Sequence, residues 1–132
     1  MSKLTRTNAI LPFTPLADLT GKEGYVVLIE SDGTIATYSS SGGKQPFGVI
    51  VHGTDVDEKT SVAVLSGGLA GTVKVKLAFT VATPGELLAV RDGGEMITPS
   101  HASALFTCAQ ALETGVAGEL IEAVLFRPES TV

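Results

Sequence analysis

Turn-forming residues interrupt this sequence about every ten positions, and that spacing holds each regular element to a few residues. The chain has 132 residues, with 15 glycines and 6 prolines among them. Its longest apolar runs are about five residues, as in Tyr25-Val26-Val27-Leu28-Ile29. Runs this short suit strands, whereas a membrane-spanning helix needs about 20 apolar residues. Aromatics are 5% and Trp is absent, so Val, Leu, Ile and Ala must fill the core. A chain of this length is expected to form one domain and to bury a core without staples. The single cysteine, Cys108, excludes an intrachain disulfide and a cysteine-based zinc site. Lys3 and Arg6 are followed by no apolar stretch and no small-residue cleavage site, so no secretory signal is expected.

From Gly24 onward the pattern predicts an all-β body. Tyr25 to Glu30 reads as a strand buried on both faces, because its apolar run is continuous. Asp32-Gly33 predicts a two-residue type I′ hairpin, with positive φ at both positions, and Thr34 to Tyr38 is the return strand. Further strands are expected at Phe47 to His52, Ser61 to Leu65, Glu86 to Val90 and Glu119 to Phe126, the last ended by Pro128. Ser66-Gly67-Gly68, Pro84-Gly85 and Asp92-Gly93-Gly94 read as turns. The segment 72–77 alternates strictly, with Val73, Val75 and Leu77 on one face and Thr72, Lys74 and Lys76 on the other. Residues 95–103 read as a loop or short strand broken by Pro99. The small residues of 104–112 leave strand and helix both open. The expected fold is a compact antiparallel β-barrel or sandwich of about eight short strands. Gly33-Thr34-Ile35 echoes Gly71-Thr72-Val73, and Gly85-Glu86-Leu87-Leu88 echoes Gly118-Glu119-Leu120-Ile121. Their spacings are unequal, which argues for shared hairpin grammar over an internal repeat.

Residues 1–23 differ from the body. Leu4, Ile10, Leu11, Phe13, Leu16 and Leu19 alternate with polar residues and with Pro12 and Pro15, which forbid a helical stripe. This predicts an extended N-terminal arm ahead of a β-rich domain at 24–132, lying either on its own body or on a partner. Charge divides the same way. Residues 1–22 carry +2, from Lys3, Arg6 and Lys22 against Asp18, and the remainder carries −7 of the total −5. An acidic body is a poor match for nucleic acid.

Candidate chemistry is sparse. His52 and His101 have no metal-ligand spacing. Asp55-Val56-Asp57-Glu58 lacks the glycine and distal glutamate of a calcium loop. Cys108 lies among apolar and small residues, where an inert thiol is expected. Ser41-Gly42-Gly43-Lys44 lacks the full phosphate-loop pattern. Lys74 and Lys76 lie inside a strand, unlike the hairpin-tip lysine of a lipoyl or biotinyl carrier. No catalytic residue, metal or cofactor is expected, and the chain reads as a non-enzyme.

The order of elements resembles the small capsid decoration (cement) proteins of tailed bacteriophages. The residues carrying the likeness are Gly24-Tyr25-Val26-Val27, Pro46-Phe47-Gly48-Val49-Ile50-Val51 and Gly71-Thr72-Val73-Lys74-Val75. The close is Gln110-Ala111-Leu112-Glu113, then Gly115 to Glu122, then Val124-Leu125. The resemblance spans roughly residues 24–126. It implies a homotrimer on the outside of the icosahedral head that binds the expanded shell and clamps neighbouring major capsid proteins, with no nucleic-acid or membrane partner. The location implied is the virion surface, after synthesis in the host cytoplasm. It also implies that the arm lies along the capsid, with Leu4, Ile10, Leu11, Phe13 and Leu16 in contact and Lys3 and Arg6 meeting acidic groups. A minor tail or baseplate subunit and a small ligand-binding β domain are the alternatives.

Overall fold

Alternating and continuous apolar runs both become strands in a computed structural model of the chain, which describes residues 10–65 and 72–131. The strands are β1 (Ile10–Phe13), β2 (Val26–Ile29), β3 (Ile35–Thr37), β4 (Gly48–His52) and β5 (Thr60–Val64). They continue as β6 (Val73–Lys76), β7 (Leu87–Val90), β8 (Met96–Ile97), β9 (Phe106–Ala111) and β10 (Leu120–Ser130). The fold is all-β, in two antiparallel five-stranded sheets, β1-β5-β4-β2-β3 and β6-β10-β9-β7-β8. Residues 104–112, open between helix and strand in the sequence, supply β9. The turn at Ser66-Gly67-Gly68 and Gly71 at the head of the alternating segment lie outside the described residues.

Each sheet curls until its two edges meet. In the first, Leu16 N–H donates to the Ile35 carbonyl (2.8 Å) and Ile35 N–H to the Thr14 carbonyl (3.0 Å). The chain just past β1 therefore runs parallel beside β3, the opposite edge. In the second, Leu77 bridges Met96 in the same parallel sense, and Ala78 N–H donates to the Met96 carbonyl (2.9 Å). Each seam is a single bridge, which shortens the exposed edges that invite unwanted pairing.

The two sheets are one design used twice. Val26 pairs with Val49 and Val27 with Gly48, and Leu87 pairs with Gln110 and Leu88 with Ala109, a displacement of 61 positions throughout. The same displacement carries Val49–Ala63 onto Gln110–Val124 and Ile50–Val62 onto Ala111–Ala123. Outside the ladders it carries Gly24 N–H to Ile50 (2.9 Å) onto Gly85 N–H to Ala111 (2.7 Å). It also carries Gly33 N–H to Glu30 (2.9 Å) onto Gly94 N–H to Arg91 (3.0 Å). Gly24 and Gly85, like Gly33 and Gly94, share a positive φ, +85° and +94° in the first pair and +87° and +90° in the second. The expectation of no internal repeat is thus corrected. The echoes noted in the sequence join non-equivalent segments, and the true repeat preserves apolar character and two turn glycines with little identity.

Two local readings are also corrected. Among the described residues no non-glycine has positive φ, so Asp32 does not enter a type I′ turn. Instead Ser31-Asp32-Gly33 form a three-residue loop, closed by Glu30 N–H to the Thr34 carbonyl (2.7 Å). Gly33 alone supplies the left-handed residue. Asp32 stabilises the loop through its side chain, which accepts from Thr34 N–H (3.0 Å) and hydroxyl (2.7 Å). The last strand is not ended by Pro128 but runs to Ser130. The register shifts between Leu125 and Glu129, and an irregularity of that kind tolerates a residue that cannot donate to the ladder.

Inside the first curled sheet lie Leu19, Val27, Ile35, Ile50 and Val62, all buried, with Phe13 and Phe47 against them. The strand β2 is continuous in apolar character because Val27 faces this interior while Val26 and Leu28 face the second half. That second contact is partly backbone on backbone. Val26 N–H donates to the Gly94 carbonyl (2.8 Å), Gly93 N–H to Tyr38 (2.8 Å) and Lys76 N–H to Gly24 (2.9 Å). Ser40 N–H donates to Asp92 Oδ1 (2.6 Å) at the rim of the same contact.

Candidate functional site

The residues expected to make contacts do not behave as one arm. Lys3, Leu4 and Arg6 lie outside the described residues. Ile10, Leu11 and Phe13 form β1, registered against Ala63, Val62 and Thr60 of β5. Pro12 is exposed there, on the outermost strand, a position that suits a residue with no N–H to donate. Ile10 packs against the core shared by the two halves. Phe13 faces the first interior, with its ring edge-to-face on Phe47 at 5.2 Å. Leu19 is 4% exposed, and its N–H donates to the Thr54 carbonyl (2.9 Å), so Ile10, Leu11, Phe13 and Leu19 belong to the body's own packing. Leu16 is the exception, 53% exposed just beyond the seam that closes the first sheet.

A larger exposed apolar surface lies elsewhere and was not singled out from the sequence. Val124 of β10 stands beside Gln110 of β9, and Gln110 beside Leu87 of β7, so the three share the outward face of the second sheet. Leu87 is 49% exposed and Val124 36%, with exposed Leu112 and Leu120 nearby on the same half. Ionic groups near this face are partnered within the chain. Glu122 accepts from the Thr72 hydroxyl and lies 3.9 Å from Lys74 Nζ. Glu113 accepts from Glu122 N–H (2.7 Å). Gln110 Nε2 donates to the Gly85 carbonyl (3.0 Å). What remains outward is mainly apolar, the composition of a protein-contact surface. Alternation in 119–126 held a signal, since Leu120, Glu122 and Val124 fall on one face. That face contains two apolar residues, so the pattern alone did not say which side is covered.

The titratable groups are dispersed. Cys108 is fully buried, and burial pushes its thiol up to about 12, well away from the thiolate that reactivity requires. His52 ends β4, its Nδ1 3.9 Å from Glu23 Oε2, while His101 Nδ1 accepts from Ser103 N–H (3.0 Å) in the other half. In the acidic loop the buried pair Thr54 and Thr60 joins through their hydroxyls (2.8 Å) and leaves Asp55, Asp57 and Glu58 exposed. Thr20 and Thr34, by hydroxyl and then backbone N–H, hold the carboxyls of Asp18 and Asp32 below the ordinary range. Burial, then the charge of Asp92, raises the Tyr38 hydroxyl. Among the described residues no three His, Cys, Asp or Glu side chains converge on a metal-sized site. A recess of about 940 Å³ opens between Lys44 and Phe47 of the first half and Leu125 and Arg127 of the second. Its ion pair, Lys44 to Glu30 at 3.4 Å, is on one wall.

No protein-family model matches the chain, and no curated protein matches it in sequence.

Proposed function

We propose that this chain is a capsid decoration protein of a tailed bacteriophage, which binds the outside of the expanded head as a homotrimer. The observation that carries the reading is the apolar outward face of Leu87, Gln110 and Val124, bordered by charges already paired within the chain. Such a surface serves assembly with other proteins better than chemistry on a small substrate. In this reading Leu16 and the segment holding Lys3, Leu4 and Arg6 meet the major capsid protein beside β1, where an extended segment adds readily to a neighbouring sheet. Binding only the expanded shell stabilises that state by mass action. Several contacts on one oligomer slow its release even when each contact is weak.

Copy number in purified particles tests this. A ratio to the major shell protein near one to one on mature heads is expected. A few copies per particle would replace the reading with a tail or vertex subunit. Absence from particles would end the structural reading and favour a ligand-binding domain.

A further inference from the structure

We propose that the outward face of the second half docks on the first half of another copy of this chain, repeating between chains the contact that joins the halves within one. The inference rests on the internal repeat alone and does not depend on the capsid reading.

The repeat supplies a reference for every surface position. In the first half the outward face of β2, β4 and β5 is Val26, Val49 and Ala63, each 0% exposed because the second half covers it. Their equivalents in the second half are Leu87, Gln110 and Val124, which are exposed. The complementary surface shows the opposite imbalance. The turn of the second half is pressed on the first, so closely that a Cβ on Gly94 would lie 2.6 Å from the Val26 carbonyl oxygen. At the equivalent turn of the first half, a Cβ on Gly33 would meet nothing within 4 Å. Ser31 and Asp32 beside it are exposed, where Asp92 and Gly93 make the intrachain hydrogen bonds to Ser40 and Tyr38.

Each chain therefore uses one such contact internally and carries one unused member of each kind at its two ends. The contact is head-to-tail, since the face and the turn are different surfaces. Head-to-tail contacts propagate from copy to copy and close into a ring when the rotation permits. Leu87 of one copy takes the place of Val26, with the Ser31-Asp32-Gly33 turn of the next copy in the place of Asp92-Gly93-Gly94. In a trimer this arrangement would place six equivalent barrels around one axis.

Complementary blocked variants test the geometry by sedimentation velocity on the full chain, without shell protein. Leu87→Glu with Val124→Glu blocks the face, and Ser31→Arg blocks the turn while keeping Asp32, whose side chain holds the loop. All three positions are exposed, and circular dichroism is to check that each variant is folded. Gln110→Arg is a second block on the face should the double variant misfold. The unmodified chain is expected to associate at tens of micromolar. Each variant should associate at least 100-fold more weakly and run as a monomer. Mixed one to one, the two variants should form a dimer and nothing larger, because one open face and one open turn remain between them. A monomeric unmodified chain overturns the proposal. So does an oligomer that survives either block, survival of the turn block alone indicating a face-to-face contact, and so does a mixture that stays monomeric. None of these outcomes changes the particle copy number, so the two proposals fail separately.

Discussion

The two halves of the chain share strand order and register and differ in what surrounds them. Both interiors are closed. Leu19, Val27, Ile35, Ile50 and Val62 in the first are matched by Val81, Leu88, Met96, Ala111 and Ala123 in the second, the first pair at a displacement of 62 and the other four at 61, and all ten are buried. Outside, the same face is core in one half and surface in the other: Val26 is 0% exposed and its equivalent Leu87 49%. Strand order does not decide whether a face is buried. What lies against it does, and a chain with two copies joined head-to-tail must leave one face over.

Mutations at equivalent positions break or sharpen this contrast. The largest difference is expected between Val26→Asp and Leu87→Asp. The first places an unpaired carboxylate between the halves and should cost about 3–5 kcal/mol. The second, at a concentration where the chain is dispersed, should stay within about 0.5 kcal/mol. Urea midpoints compare them, and equal losses would mean that the two faces are equally buried in solution.

Next are the turn glycines. Gly33→Ala and Gly94→Ala both force a side chain into left-handed backbone, about 1–2 kcal/mol each. Only Gly94→Ala also drives a Cβ against the Val26 carbonyl, which should add about 1–3 kcal/mol. Thermal unfolding of the two variants would show matching losses if the second turn were not packed on the first half.

Cys108 stands in the second half where Phe47 stands in the first, and it probes whether that interior opens. With its thiol raised to about 12 by burial, it should resist a maleimide at pH 8 in the native chain and label readily in urea. Rapid native labelling would show that β9 is accessible on the labelling timescale.

The smallest effect concerns the loop at Asp32, which is Gly93 in the second half. The Thr34 hydroxyl and N–H lower the Asp32 carboxyl in the folded chain. A group with a lowered folded pKa contributes stability above its unfolded value, about 4, and loses it as pH falls through the folded value. Thr34→Val should move the carboxyl titration, followed by NMR, back towards the ordinary range. An unmoved titration would remove the hydroxyl as the cause.

Much of the fold was legible residue by residue. Strict alternation in 72–77 gave the buried and exposed faces of β6, and the unbroken run at 25–30 gave a strand covered on both sides. Asp32-Gly33 marked the hairpin correctly and mistook its type, because Asp32 acts there through its side chain and not through a left-handed backbone. The repeat was not legible. Its two halves share apolar character, and a displacement of 61 leaves few identities beyond Gly24/Gly85 and Gly33/Gly94. The arm residues were expected to act together, yet Phe13 packs inside the first barrel while Leu16 is exposed.

By itself the sequence determined the class of structure: short strands between turn residues, packed by aliphatic side chains. Local backbone preference and hydrophobic period act over a few residues, and those are present in the chain order. Which faces meet was decided only by the tertiary structure. Val26 and Leu87 carry similar side chains on equivalent strands, and no local property tells them apart. Only the docking of one half's turn on the other half's face buries the first and leaves the second exposed.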